Sequence, residues 1–343
     1  MRKLLNTLYV TSPDVYLSLD GENVVVFREE EILLRVPLHT LESILYFGYK
    51  GASPALMGAC AQRNIRLSFL TPNGRFLAAA CGRSRGNVLV RTEQVRVADD
   101  LQVRVSYARN FLFGKVYNAR WMLERAVRDH GLRLEGTRVK QVSLQLAAAL
   151  PEIRGCSDEE RLRGLEGAAA EQYFGVFDHL ILQNKEDFFF RGRNRRPPLD
   201  NVNALLSFVY TLLEHDCSSA LEAVGLDAYI GFLHRERPGR TSLAEDLMEE
   251  LRSVMADRFV LTLINNRLVS PKGFEKQESG AVRMDDETRK TLLTAWQKKK
   301  QEEITHPFLG EKIPWGLVPY VQAMLLNRCL RGDLDEYPPF LWK

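Results

Sequence analysis

The hydrophobic period of the chain changes once, and that change limits what it can fold into. Up to about residue 95, apolar residues alternate or run in short blocks bounded by turn residues. Residues 15–19 and 24–27 flank Asp20, Gly21, Glu22 and Asn23, the makings of a hairpin turn. Residues 32–36 read as another strand ended by Pro37, and 41–47 are apolar enough for a buried one. Residues 66–70 and 75–79 flank Pro72, Asn73 and Gly74, the clearest hairpin signal in the chain. One helix interrupts, with Ser53 as cap and Pro54 at its first position. Residues 83–100, where Arg83, Arg85, Arg91 and Arg96 alternate with small and β-branched residues, read as a linker or edge strand.

From Asp99 or Asp100, either of which can cap a helix reaching about residue 129, the pattern is helical. Further helices are expected over 142–150, stopped at Pro151, and over 157–174, opened by a capping box from Ser157 to Glu160. More follow over 202–213, around Glu249, over 253–265 and 288–303, and from Pro314 to Gly332. The expected class is α+β: a small N-terminal β-rich domain over 1–95, a scaffold or dimerisation module, then a larger all-α catalytic domain over 96–343. With 343 residues the chain exceeds a typical single core. A net charge of +3 is too small to make the whole surface a nucleic-acid binder, so any basic surface must be a local patch. The five cysteines lack metal-site spacing. No stretch reaches the ~20 apolar residues of a membrane span, and the opening residues are not expected to act as a signal peptide. A cytoplasmic protein with free thiols and no membrane partner is expected.

The stretch 231–252, GFLHRERPGRTSLAEDLMEELR, holds a histidine on a turn and then an acidic helix. Thr241 or Ser242 can cap it, with Glu245 as a capping-box partner of Ser242. Asp246 and Glu249, three apart, share a face, while Leu243, Leu247 and Leu251 form a separate apolar stripe. His234 offers nitrogen and the carboxylates oxygen, the donors of a divalent cation that hydrolyses or transfers phosphoryl groups. The plain alternative is a solvated acidic helix beside an ordinary turn histidine. In the helix before it, Gly164 and Gly167 flank Leu165 and Glu166. Each interior glycine costs roughly 1 kcal/mol against alanine. Their presence implies close approach of a backbone or a ligand, with Glu166 as a third donor or as a solvated side chain. Arg191, Arg193, Arg195 and Arg196 crowd one loop, and arginine forks suit phosphate oxygens. His179, His215 and Asp216 suggest a rival, a histidine–aspartate metal phosphohydrolase with Asp246 as last ligand, although His215 falls where a helix C-terminus would favour it. A non-catalytic DNA-binding scaffold is the other rival.

Several segments together resemble one family, the CRISPR-associated endonuclease and integrase numbered one in its nomenclature. They are Gly164-Leu165-Glu166-Gly167 with its alanines, residues 193–203 leading into 205–210, and Gly231-Phe232-Leu233-His234 followed by residues 242–249. The order of β then α matches too, and Tyr337-Pro338-Pro339-Phe340 resembles the type I branch. The resemblance implies that Glu166, His234 and Glu249 bind Mg²⁺ or Mn²⁺ and that Asp246 is a base or orients a ligand. In some members the acid at the position of Glu249 is Asp. The implied reaction joins the 3′-hydroxyl of spacer-precursor DNA to the CRISPR repeat by transesterification, or cleaves when water attacks. The implied partners are DNA, a second copy bound through the β domain, and a small ferredoxin-like adaptation protein.

Overall fold

A computed structural model describes residues 6–72, 74–80, 88–131, 136–194 and 197–343. The chain divides into two compact units, residues 1–85 with 286–302 and 315–317, and residues 86–285 with 303–314 and 318–343.

The first unit contains strands β1 (Thr7–Val10), β2 (Tyr16–Asp20), β3 (Asn23–Arg28), β4 (Glu31–Pro37) and β5 (Ser43–Phe47), helix α1 (Pro54–Arg63), and strands β6 (Arg66–Leu70) and β7 (Phe76–Ala80). β2, β3 and β4 form an antiparallel meander, and β1, β5, β6 and β7 a mixed sheet in which only β7 runs antiparallel. Asp20 pairs with Asn23, so Gly21 and Glu22 make the turn, with Gly21 at φ +58°. Ser53 caps α1 through Leu56 N at 3.2 Å. Val15, Leu17, Val24, Ile44, Tyr46, Leu56 and Leu67 are buried in its core. β4 forms the edge of the meander with Ile32, Leu33 and Leu34 exposed.

The second unit is mainly helical: α2 (Val88–Asp99), α3 (Leu101–His130), α4 (Gly136–Gly155), α5 (Glu159–Gly175), α6 (Asn201–Ala223), α7 (Ser242–Leu251) and α8 (Arg258–Asn265). A short ladder of β8 (Phe274–Lys276) and β9 (Val282–Met284) follows. Helix α9 (Asp286–Gln301) belongs to the first unit; β10 (Glu303–Thr305), β11 (Lys312–Pro314) and α10 (Val318–Leu330) belong to the second. The two short ladders are strands that helical periodicity did not announce.

Other expectations change as well. Residues 88–99 form a helix rather than a linker or edge strand, because Val90, Gln94, Val97 and Ala98 recur at helical spacing and are buried; Arg83 and Arg85 lie outside the described residues. α4 continues through Pro151 to Gly155, with Ile153 buried beyond the proline. The cap of α5 is Asp158, which accepts from Arg161 N at 2.7 Å, and not Ser157. α6 runs to Ala223, so His215 is an interior residue, 4% exposed, rather than a helix terminus. Among the described residues no helix is long and apolar enough to cross a membrane. Cys60, Cys156, Cys217 and Cys329 are free and buried; Cys81 lies outside the described residues.

Candidate active site

The loop that carries His234 is held at three places before any chemistry is considered. Gln94 in α2 donates to the carbonyls of Asp227 (2.8 Å) and Ile230 (2.9 Å) and accepts from Asp227 N at 3.0 Å. At Gly231 the loop closes on the start of α7. A Cβ there would lie 2.7 Å from Ser242 Cβ and 2.8 Å from the His234 carbonyl oxygen, so no side chain fits without displacement. The ring of Phe232 then packs on Tyr107 of α3, centroids 4.9 Å apart.

Asp246 completes the latch. Its Oδ2 accepts from Phe232 N (2.6 Å) and Leu233 N (2.9 Å), and its Oδ1 from His234 N (2.9 Å). Oδ1 also lies 2.7 Å from His234 Nδ1. A carboxylate only accepts, so Nδ1 carries the proton and Nε2 is turned toward Glu249, 3.8 Å from Oε1. Fixing one ring nitrogen on a carboxylate is how proteins orient a metal-binding histidine. Burial lowers the His234 pKa, yet the bond and charge of Asp246, joined by Glu249, raise it overall.

α7 is not a solvated acidic helix. Leu243, Leu247 and Leu251 are fully buried, as are Asp246 and Glu250, and Glu249 is 2% exposed. The expected capping box is absent: Thr241 is the cap but its hydroxyl donates to Glu214 rather than bonding the helix end, and Glu245 pairs with Arg240. Glu249 is held by cations. Its Oε1 lies 2.9 Å from Arg252, and its Oε2 2.9 Å from Lys115 Nζ of α3. Among the described residues Oε2 has no donor aligned for a hydrogen bond. Burial raises the Glu249 pKa, but Arg252, Lys115 and His234 outweigh it and bring the carboxyl down to about 2.

Lys115 also pairs with Glu166 of α5. Glu166 and Glu249, far apart in sequence, thus share one ammonium, and the imidazole of His234 faces Glu249. Among the described residues no three His, Cys, Asp or Glu side chains form a ready-made metal cage. The donor set nevertheless fits a divalent cation, because two carboxylates already gather around positive charge and Nε2 points at one of them. A Cβ on Gly164 or Gly167 would meet nothing within 4 Å, so tight helix packing does not explain these glycines, and α5 presents an open face there.

Beyond Glu249 the chain passes through a π-helical turn, Arg252–Asp257, of the kind found at functional sites. Arg252 stacks on Tyr210 (4.9 Å to the centroid), and Tyr173 donates to Asp257 Oδ2 at 2.9 Å. In the arginine loop, Arg191 is exposed and stacks on Phe189. Arg193 turns inward, donating to Asn203 Oδ1 (2.7 Å) and Ser207 Oγ (3.1 Å) over the ring of Tyr210. Arg195 and Arg196 lie outside the described residues. Sequence reasoning missed Lys115 and Arg252. Lys115 sits inside α3 with no motif around it; Arg252, three residues after Glu249, was open to the same i, i+3 reasoning that paired Asp246 with Glu249.

Residues 8–298 match the family described as CRISPR associated protein Cas1. The chain is 50% identical to CRISPR-associated endonuclease Cas1 1 of Chlorobaculum tepidum over 343 residues, all of both chains. Two solved structures share the fold at 21% identity. One is a casposase bound to integration product, with a TM-score of 0.83 over 98% of this chain and 94% of that one. The other is a Cas6-RT-Cas1–Cas2 complex, with a TM-score of 0.81 over 98% of this chain and 36% of that one.

Proposed function

The chain belongs to the CRISPR-associated Cas1 family, and from that premise we propose that it is a metal-dependent DNA endonuclease and integrase of CRISPR adaptation. The observation that carries this reading is the one ammonium shared by Glu166 and Glu249, with His234 facing Glu249 and its tautomer set by Asp246. Glu166, Glu249 and His234 Nε2 would hold Mg²⁺ or Mn²⁺; nitrogen in the set favours Mn²⁺. When bound, the ion polarises the scissile phosphate and stabilises the leaving oxygen.

The residues of the chain do the rest. Asp246 keeps Nδ1 protonated and the ring in place, and Gln94 and Gly231 keep the loop in place. The 3′-hydroxyl of spacer-precursor DNA attacks a phosphorus in the repeat. The attacking oxygen gains the P–O bond, the target strand's bridging oxygen leaves, and the hydroxyl proton ends on that oxygen. Water in place of the hydroxyl gives cleavage. Exposed Arg191 would contact DNA phosphates, as the charge of Arg195 and Arg196 in the same run favours, while Arg193 anchors the loop. The apolar edge strand β4 supports pairing with a second copy. The matched complex that contains Cas2 supports a small ferredoxin-like adaptation protein as partner. The free buried thiols suit the reducing cytoplasm.

The test joins a DNA 3′ end to a supercoiled repeat plasmid with Mn²⁺. His234→Ala abolishes joining, and His215→Gln in the interior of α6 keeps it. The reverse pattern establishes the histidine–aspartate phosphohydrolase, and metal-independent DNA binding with no joining establishes the scaffold.

A further inference from the structure

Lys115 sits where positive charge is needed. Its side chain is 15% exposed, and its ammonium touches both Glu166 and Glu249. The position is built. At Gly114, the residue before it, a Cβ would lie 2.9 Å from Glu250 Cβ and 3.1 Å from Pro339 Cβ, so α3 comes this close to α7 only because that residue is glycine. The two oxygens of Glu249 are divided between two cations. Arg252, three residues along the same helix, takes Oε1, and Lys115 takes Oε2. Arg252 travels with α7. Lys115 comes from another helix on a flexible stem, and it bridges the two acids.

We propose that Lys115 is a resident counter-ion that occupies the cation position between Glu166 and Glu249 and must be displaced for a divalent metal to bind. This rests on the metal-binding reading of the same site. An ammonium and a divalent cation compete for the same carboxylate oxygens, so the apparent metal affinity is the intrinsic affinity multiplied by the fraction of molecules in which Lys115 has swung away. Before metal arrives, the ammonium keeps two neighbouring carboxylates from facing each other uncompensated, one of them almost completely buried. The device tolerates an empty site at the expense of metal affinity.

The experiment titrates Mn²⁺ into wild type, Lys115→Met, Lys115→Gln and Glu249→Gln by calorimetry and records melting in EDTA and in Mn²⁺. If the paired state holds about nine-tenths of wild-type molecules, removing the ammonium tightens Mn²⁺ binding about tenfold. Both Lys115 variants bind Mn²⁺ more tightly, melt lower than wild type in EDTA, and gain more in melting temperature from Mn²⁺. Two variants of different polarity guard against one that fails to fold. Unchanged or weaker Mn²⁺ binding by both, with Glu249→Gln losing it, overturns the counter-ion role and leaves the metal site standing. Equal Mn²⁺ binding by wild type and Glu249→Gln overturns the metal site itself, and this proposal with it.

Discussion

Glu249 and Glu250 are neighbours on one helix, both buried, and they are treated in opposite ways. Glu249 faces Arg252, Lys115 and His234, and its carboxyl is brought down to about 2 against the effect of burial. Glu250 meets neutral groups. Tyr337 donates to its Oε1, Gln322 Nε2 lies 3.3 Å from the same oxygen, and Phe340 N donates to Oε2 at 2.6 Å. Burial raises the Glu250 carboxyl, these three donors bring it only part of the way back, and it ends at about 7. Asn118 reinforces that face, donating to the carbonyls of Glu250 and Phe340 at 2.6 and 2.7 Å. One side of α7 is thus a charged site, and the other is a clamp on the C-terminal segment. Burial does not decide what a buried acid does; the charge of its partners does.

The largest expected effect separates the two faces directly. Glu249→Gln lowers DNA joining by more than the roughly 100-fold typical of groups that act through a ligand. Glu250→Gln leaves joining near wild type at pH 7, since an amide keeps the size of a carboxyl that is already partly protonated there. Comparable losses in a plasmid joining assay would break the distinction.

Asp246 lies between these extremes, a buried acid fed by three backbone N–H groups and a ring nitrogen. Asp246→Asn keeps Mn²⁺ binding, measured by calorimetry, while joining falls about 10–100-fold. The amide also presents N–H groups to N–H donors, which costs about 2 kcal/mol in a denaturant melt.

Stability against pH sharpens the comparison further. A folded-state pKa raised above its unfolded value means that the native state holds the Glu250 proton longer. Its contribution is full below about pH 4.5 and is lost as pH rises through about 7, on the order of 3 kcal/mol. Asp257, pushed up to about 6 by burial, acts in the same direction at lower pH. Glu249 acts oppositely: its contribution is present above about 4.5 and lost as pH falls toward 2. Urea melts from pH 6 to 8 therefore fall for wild type and flatten for Glu250→Gln; parallel curves contradict the neutral-partner account. The smallest effect is at the loop. Gly231→Ala destabilises by about 1–3 kcal/mol through overlap with Ser242, read as a shift in the urea midpoint.

Much of this was legible. His234, Asp246 and Glu249 stood out because i, i+3 spacing and a glycine-led turn are local signals, and the β hairpins announced themselves through turn residues. Lys115 and Glu250 did not, because their roles depend on partners about 50 to 130 residues away that only tertiary packing supplies. Arg193 sits in a charge run that reads as solvent-facing, yet it stacks on Tyr210 and donates inward, since a guanidinium carries five donors and a flat face. Pro151 reads as a stop, but tertiary packing of Ile153 holds the last turn of α4 against local propensity. His215 reads as a helix end because the apolar pattern weakens after Leu213, whereas α6 continues through buried Cys217, Ala220 and Leu221.

The central claim is that Glu166, His234 and Glu249 hold one divalent ion. Anomalous diffraction from Mn²⁺-soaked crystals tests it most directly. The account predicts a manganese peak within about 2–3 Å of His234 Nε2 and of oxygens from Glu166 and Glu249, with Lys115 Nζ withdrawn. A peak at His215 and Asp216, or none beside Glu249 in crystals that join DNA, would contradict it.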